Sequence, residues 1–212
     1  TYPNGSPLLS NVTINGNTGT AQGGGIALLS GGYLTLKKSV ISNNISPTGA
    51  AMKMHGGNLV LKNVLIHGHT GNTTTIATAS TSPGPQLSME NVTMASNGSD
   101  TDYRSFHMGS GGATLVNTIL RDEFFLGGNA SMTASYSNIV GGYIPTSNFS
   151  ATDTIAGDPL FVNSGSGDFT LQANSPCIDA GDPDLDDDGT TWVTDSDDQD
   201  PDGTRLDMGA YY

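Results

Sequence analysis

Apolar residues alternate with polar ones along short stretches of this chain, and such stretches recur from its beginning to about residue 140. Alternating apolar pairs include Leu34 and Leu36, Leu59 and Leu61, and Leu87 and Met89. Alternation over three or four residues predicts a short strand with one buried face. After one polar residue a second apolar pair follows, as Val64 and Ile66 do after Asn63. Each stretch therefore predicts two short strands joined at a single polar residue.

The polar residue between the two strands is asparagine in most copies of this pattern. Six copies align at Asn11, Lys38, Asn63, Asn91, Asn117 and Asn138, the last being a shortened copy. Successive positions are 27, 25, 28, 26 and 21 residues apart. Asparagine tolerates left-handed backbone angles, and its amide can bond to neighbouring main chain, so it predicts a sharp bend. The chain therefore contains an internal repeat of about 25 residues.

A third apolar stretch completes each copy, as in Ile26/Leu28, Met52/Met54 and Phe106/Met108. Three strands make one triangular coil, and no coil can bury its apolar side alone. Successive coils must therefore stack, with each strand pairing in parallel with its equivalent about 4.8 Å away. Stacking also predicts an axial ladder of amide side chains, formed by Asn11, Asn63, Asn91, Asn117 and Asn138.

With these repeats the chain resembles the right-handed parallel β-helix superfamily, which includes pectin lyases and other polysaccharide lyases, tailspikes and many bacterial surface proteins. The resemblance covers roughly residues 7–160. It implies an all-β fold, a right-handed parallel β-helix solenoid with three strands per coil and about six coils. It also implies an extracellular or cell-surface location. Because this scaffold carries catalysts, adhesins and spacers alike, the fold alone selects no activity.

The repeat stops near Gly157, which divides the chain into β-helix coils at 1–156 and a closing segment at 157–212. The closing segment contains the phrases DPLF at 158–161, SPCIDAGD at 175–182 and DMGAY at 207–211. These resemble the C-terminal cap of many secreted bacterial β-helix proteins. The resemblance implies an irregular cap that runs beside the last coils and covers their end, where strand edges would otherwise be open.

Acidic charge is concentrated in the closing segment. The net charge is −13 at pH 7, and residues 179–212 hold 12 aspartates against one arginine, whereas residues 1–178 hold 8 acidic and 6 basic residues. No basic stripe could displace counterions from phosphates, so nucleic acid is not an expected partner. No apolar run approaches the roughly 20 residues that cross a bilayer, so no membrane span is expected.

The aspartates of this segment alternate in two copies of the pattern Asp-x-Asp-x-Asp-Gly. The copies are Asp184, Asp186, Asp188 with Gly189, and Asp198, Asp200, Asp202 with Gly203. Alternate carboxylates before a glycine turn can converge on one hard cation, as in an EF-hand loop. Asp195 falls twelfth in the first copy, where such loops place a closing acidic ligand, whereas the second copy has Gly209 there. We predict structural Ca²⁺ held by these aspartates; the alternative is a solvated acidic tail.

Other polar residues suggest chemistry less specifically. Stacking places Lys37, Lys62 and Glu90 at equivalent outward positions, where they could bind an anionic sugar or supply the base of a lyase. The alternative is a solvated sheet face with one favourable Lys/Glu pair. His69 takes the position of asparagines in other coils, so a turn role is favoured over metal binding with His67. Cys177 lies in the cap phrase and is predicted to be a buried small hydrophobe.

Two functions of different class remain open. The first is a non-catalytic extracellular module, acting as an adhesin, spacer or self-assembling subunit with a polysaccharide as a candidate partner. The second is part of a polysaccharide lyase or glycoside hydrolase acting on an acidic polysaccharide. No catalytic set of carboxylates or basic residues can be assembled on one coil face, which favours the first. The first coil begins near residue 7 with no amphipathic helix over it, so earlier coils or another copy of the chain are expected to stack there.

Overall fold

The computed structural model describes residues 7–29, 31–70, 74–98, 105–140 and 148–210. These ranges contain fifteen β-strands and two short 3₁₀ helices, Ser164–Ser166 and Ser196–Asp198, with no α-helix. The strands are β1 (Leu8–Ser10), β2 (Thr13–Asn15), β3 (Ile26–Leu28), β4 (Tyr33–Ser42), β5 (Met52–Met54), β6 (Asn58–His67), β7 (Ile76–Thr78), β8 (Gln86–Ala95), β9 (Phe106–Val116), β10 (Ile119–Leu120), β11 (Phe124–Ser135), β12 (Asn138–Ile139), β13 (Phe149–Thr152), β14 (Phe161–Asn163) and β15 (Asp168–Leu171). No helix in the described ranges has the length and apolarity needed to cross a membrane.

Strands β1 to β13 form one sheet in which the paired strands run parallel, wound into stacked coils. The first face contains β1, the first halves of β4, β6 and β8, the second halves of β9 and β11, and β13. The second face contains β2, the second halves of β4, β6 and β8, then β10 and β12. The third contains β3, β5, β7 and the first parts of β9 and β11. The fold is therefore the all-β parallel β-helix solenoid that the repeat predicts.

Like residues stack on like inside the coils, which is what buries the core. Leu36 pairs with Leu61, and Leu61 with Met89, along the first face. Each of these three side chains is fully buried within a single core that the three faces share. Because a coil has only one inward side chain in two, the core exists only through stacking.

The bend between the first and second faces is one residue with a left-handed backbone. The described corners are Asn11 (φ 57°), Lys38 (47°), Asn63 (53°), Asn91 (52°), Asn117 (50°), Tyr136 (44°) and Asp153 (51°). The predicted bends are thus confirmed for five coils, four of them at asparagine and one at Lys38, but the placement of the sixth at Asn138 is wrong by two residues. Val116 pairs with Ser135, which sets Tyr136 beside Asn117. Because this coil is shorter than the others, the repeat spacing does not reveal this register. It also does not reveal the partial seventh coil that begins with β13.

The predicted ladder of corner asparagines is mostly absent, and a different ladder runs through the stack. Of the corner amides, Asn117 Nδ2 donates to Asn91 Oδ1 at 3.2 Å, while Asn63 Oδ1 is buried without a partner. The extended ladder lies at the next bend. Its members are Asn17, Asn44, His69, Asn97 and Asp122, linked side chain to side chain at 2.9, 3.3, 2.8 and 2.6 Å. The turn role predicted for His69 is therefore a place in this ladder.

The closing segment packs against the outer side of the second face. Phe169, on the β14–β15 hairpin, is buried with Leu65 and Val40, and Met208 packs on Ile119. Val40 belongs to the second coil, so the segment reaches much further back than the last coils, beside which the resemblance places it. The reason is visible in the sequence, since both neighbours in Val40-Ile41, Leu65-Ile66 and Ile119-Leu120 are apolar and both sides of those strands need cover.

Candidate metal centre

The first acidic loop begins where the closing segment is tied to a coil corner. The main-chain N–H of Asp182 donates to Oδ1 of Asn117 at 2.6 Å. One residue earlier, the N–H of Gly181 donates to the carbonyl of Leu206 at 2.7 Å. A Cβ on Gly181 would lie 2.6 Å from that carbonyl oxygen, so only glycine allows this approach. The loop therefore starts from a position fixed by both the coils and the end of the segment.

The loop itself closes around the carboxylate of Asp184. Its Oδ1 accepts from the N–H of Asp188 at 3.0 Å, and its Oδ2 accepts from the N–H of Gly189 at 3.1 Å. Gly189 has φ 85°, a left-handed angle that glycine adopts without strain. Asp186 accepts a longer hydrogen bond, 3.3 Å, from the same Asp188 N–H. This turn gathers the alternating carboxylates of the loop, as the first half of an EF-hand loop does.

Asp198 completes the first carboxylate group from the second Asp-x-Asp-x-Asp-Gly copy. One carboxylate oxygen from each of Asp184, Asp186 and Asp198 lies within 4.8 Å of the other two. Asp198 is 0% exposed, and its Oδ1 accepts from the N–H of Leu185 at 2.6 Å. Its Oδ2 is buried with no hydrogen-bond partner. Burial raises the pKa of this carboxyl group, and the neighbouring aspartates raise it further. A buried, unpaired oxygen in a native fold calls for an unseen ligand or proton.

A second group shares Asp186 with the first. It consists of Asp186, Asp188 and Asp195, again with one oxygen of each within 4.8 Å of the others. Asp195 lies at the start of the 3₁₀ helix Ser196–Asp198, where its side chain accepts from the N–H of Asp197. A hydrogen bond from Thr190 lowers the pKa of the exposed Asp188. Five of the seven aspartates predicted as metal ligands therefore fall into two groups that share Asp186.

The remaining two predicted ligands, Asp200 and Asp202, lie apart from this cluster. Asp200 groups with Asp179 and Asp207, two residues that the spacing of the acidic motif does not identify. Asp202 belongs to none of the groups found among the described residues, and its carboxylate accepts from the N–H and hydroxyl of Thr204 at 3.0 and 2.7 Å. The second copy of the motif is thus divided between two places rather than folded into one loop.

No basic side chain in the described ranges forms an ion pair with these carboxylates. Within the described part of the chain the only ion pair joins Lys62 and Glu90, far along the sequence from the acidic loop. Arg205, the one arginine of the closing segment, has its guanidinium 5.6 Å from the ring centre of Tyr136. The acidic groups therefore repel one another unless protons or cations from solution enter the site.

The sugar-binding candidates share the first face, in the register that the repeat predicts. Lys37 pairs with Lys62, and Lys62 with Glu90. Lys62 Nζ lies 2.5 Å from Glu90 Oε2, and both side chains are partly exposed. An open cavity of about 260 Å³ is lined by Tyr33, Leu34, Thr35, Lys37, Asn58, Val60 and Lys62. Lys37 thus lines an open groove, whereas Lys62 forms an ion pair with Glu90.

The histidine pair and the cysteine make packing and hydrogen-bond contacts that support the fold. His69 lies inside the coils in the ladder, whereas His67 points outward and its ring centre is 5.0 Å from that of Phe169. Cys177 is buried beside Ile119, and Asn138 Nδ2 lies 3.3 Å from its sulfur. Burial raises the pKa of the Cys177 thiol, which keeps the sulfur in its less reactive form. The cysteine thus occupies the buried position that the cap phrase predicts for it.

Comparison of the chain with protein-family models, with curated proteins and with solved structures gives no match.

Proposed function

We propose that this chain is a non-catalytic extracellular β-helix module, an adhesin, spacer or self-assembling subunit, whose closing segment is stabilised by bound calcium. The observation that carries the calcium proposal is Oδ2 of Asp198, a buried oxygen without a partner beside two further carboxylates. The non-catalytic part is supported by the structural contacts of the reactive side chains. Lys62 pairs with Glu90, His69 belongs to the ladder and Cys177 is buried.

Calcium fits this group better than the other common divalent ions. Calcium takes six to eight oxygen ligands at about 2.3–2.6 Å, so ligands on opposite sides of it are about 5 Å apart. The oxygens within each group lie within 4.8 Å of one another, inside that limit. Magnesium needs a tighter octahedron and keeps several waters, whereas zinc prefers nitrogen and sulfur. An all-carboxylate cluster therefore favours calcium.

The bound ion would join parts of the closing segment that the main chain alone connects loosely. It would bridge Asp184 and Asp186 in the loop to Asp198 beyond it, and it would remove the repulsion among them. Because the same loop is tied to the coil corner at Asn117, the ion would also stabilise the packing of the segment on the second face. Its role is structural, since the cluster lies in the closing segment and not on an open coil face.

Removal of calcium is therefore expected to lower the melting temperature. At a calcium concentration one hundred times the dissociation constant, binding contributes about 2.7 kcal/mol. For a chain of this size that corresponds to a shift on the order of 5–10 °C. The measurement is thermal unfolding by circular dichroism in calcium and in EDTA.

The matched variants are Asp198→Asn, which removes the buried ligand, and Asp187→Asn, which removes an exposed charge that belongs to none of the three groups. Asp198→Asn should abolish most of the calcium-dependent shift, whereas Asp187→Asn should retain it. An equal melting temperature of the wild-type chain with and without EDTA would exclude calcium from the fold.

For the groove on the first face, we propose an acidic polysaccharide as the ligand. Lys37 lines the groove, and no carboxylate among the described residues lies within ion-pair distance of it, so its charge is available to a sugar carboxylate or sulfate. Binding to a panel of acidic polysaccharides should weaken several-fold in Lys37→Ala and change little in Lys53→Ala, a lysine of the third face. Binding that is equal in all three proteins would reject this surface.

The enzyme alternative is tested on the same panel. A lyase acting on an acidic polysaccharide would release unsaturated products, which are detected by their ultraviolet absorbance. A hydrolase would release reducing ends. Product formation that is lost in Lys37→Ala or Lys62→Ala would replace the non-catalytic proposal with the enzymatic one. Binding without product would support the module.

A further inference from the structure

Three carboxylates outside the first acidic loop lie together where residues 177–181 meet residues 206–208 near the end of the closing segment. One oxygen from each of Asp179, Asp200 and Asp207 lies within 4.8 Å of the other two. Asp179 and Asp207 belong to no Asp-x-Asp-x-Asp-Gly copy, whereas Asp200 belongs to the second copy and lies beside its motif neighbour Asp202. The group is therefore not a part of the cluster around Asp186.

Main-chain hydrogen bonds hold this group together. The N–H of Met208 donates to the carbonyl of Cys177 at 2.9 Å, and the N–H of Asp179 donates to Oδ1 of Asp207 at 2.9 Å. These bonds set Asp179 and Asp207 side by side although 28 residues separate them. Asp200 comes from a third place in the chain, where a tight turn pairs its N–H with the carbonyl of Thr204 at 3.1 Å.

Asp200 supplies an independent reason to expect a ligand. Its side chain is only 8% exposed, and its Oδ1 is buried with no hydrogen-bond partner. Most buried carboxylate oxygens in folded proteins are hydrogen-bonded, paired with a cation or bound to a metal. No basic side chain in the described ranges forms an ion pair with Asp179, Asp200 or Asp207. The compensating charge must therefore come from solution.

We propose that Asp179, Asp200 and Asp207 form a second divalent-cation site, of the all-oxygen class that calcium prefers, which joins the region around Asp179 to the end of the closing segment at Asp207. The three residues supply three carboxylates, and water completes the coordination sphere. The ion links Asp179 to Asp207, beside the hydrogen bond that already joins these residues, and it also binds Asp200 in its turn. This site goes beyond the proposed function, since it can bind calcium whether or not the loop around Asp186 does.

The test counts bound calcium on the full chain after chelator treatment, by isothermal titration with CaCl₂ and by native mass spectrometry. Wild type should bind one more ion than Asp207→Asn, whose amide oxygen can still accept from the Asp179 N–H. Asp187→Asn, the exposed control, should bind as many ions as wild type. The double variant Asp186→Asn/Asp198→Asn, which removes ligands from both groups that share Asp186, should retain the ion at Asp179, Asp200 and Asp207.

Thermal unfolding separates a metal ligand from a residue that only supports the fold. In EDTA, Asp207→Asn should melt at or above the wild-type temperature, because one source of carboxylate repulsion is gone. In calcium the order should reverse. A stoichiometry in Asp207→Asn and Asp200→Asn equal to that of wild type would overturn the second site and leave the first intact. Absence of calcium binding to the wild-type chain would overturn both sites. Loss of an ion in Asp186→Asn/Asp198→Asn, with none lost in Asp207→Asn or Asp200→Asn, would leave only the site around Asp186.

Discussion

At the scale of single residues, the hydrogen bonds of the ladder determine which ring nitrogen of His69 carries the proton. Asn97 Nδ2 donates to Asp122 Oδ2 at 2.6 Å, so its Oδ1 is the atom that accepts from His69 Nδ1 at 2.8 Å. His69 Nε2 must then accept from Asn44 Nδ2 at 3.3 Å. Only the neutral imidazole has one donor and one acceptor nitrogen. Protonation would set two donors against each other inside the coils, and burial lowers the pKa of His69 to about 4.

This histidine should make folding sensitive to acid. Because the folded-state pKa of about 4 lies below the ordinary value of 6.5, the unfolded chain binds the proton first. The stabilising contribution is complete above pH 6.5, is lost as the pH falls toward 4, and amounts to about 3 kcal/mol. His69→Asn should remove this loss, since the pair Asn17 and Asn44 shows that two asparagines bridge adjacent coils at 2.9 Å. The measurement is the free energy of unfolding of both proteins at pH 7 and pH 4.5.

Titration of Asp122, at the end of the ladder, changes the free energy of unfolding in the opposite direction. The test therefore uses the difference in unfolding free energy between wild type and His69→Asn. Burial raises its pKa to about 6 from 3.8, so its carboxylate destabilises the fold above pH 6 and the penalty is relieved toward pH 3.8. That relief is present in both proteins and cancels. A difference in unfolding free energy that stays constant between pH 7 and 4.5 would show that His69 is not the titrating group.

At the scale of elements, the corner asparagines have two separable roles, as bends and as hydrogen-bonding groups. Asn63 and Asn117 have nearly the same φ, 53° and 50°, but Asn63 Oδ1 has no partner, whereas Asn117 binds both Asn91 and the N–H of Asp182. Glycine preserves the bend in either place. We expect Asn117→Gly to lower the free energy of unfolding by about 1–3 kcal/mol, because it leaves buried groups unpaired.

The matched control is Asn63→Gly, which removes a side chain with an unsatisfied oxygen at an equivalent corner. Its free energy of unfolding in urea should change by less than about 1 kcal/mol. Similar losses in the two variants would mean that the corner conformation, rather than the contact with the closing segment, determines stability at these positions.

The same corners show what the sequence can and cannot predict. The period and alternation identify the coils, the parallel register and five of the bends, because each coil pairs with the next one along the chain at the spacing of the repeat. The corner at Tyr136 is missed because this shorter coil has no asparagine at its bend, whereas Asn138 two residues later fits the pattern. The grouping of Asp200 with Asp179 and Asp207 is missed for another reason. It depends on contacts between distant parts of an irregular segment, for which spacing along the sequence provides no rule.

At the scale of the whole molecule, the closing segment covers the outer side of the second face, so that apolar residues are buried on both sides of this face. The inward column contains Ile41 and Ile66, and the outward column contains Val40, Leu65 and Ile119, which pack beneath Phe169 and Met208. Removal of the cover would expose Val40, Leu65 and Ile119, with Thr93 between the last two, and exposed apolar surface promotes association. The coils and the segment are therefore expected to depend on each other for solubility as well as for stability.

A chain ending at residue 156 tests this dependence. It should aggregate or bind a hydrophobic dye strongly, as measured by light scattering and by dye fluorescence, because Leu65 and Ile119 would face water. The control is the same truncated chain carrying Leu65→Ser and Ile119→Ser, which leaves the inward residues intact and gives the outer side the polar character of an ordinary exposed strand. This control should be more soluble and should keep the circular dichroism of parallel strands. If the unmodified truncated chain is equally soluble and binds no dye, the outer side of the second face does not need its cover.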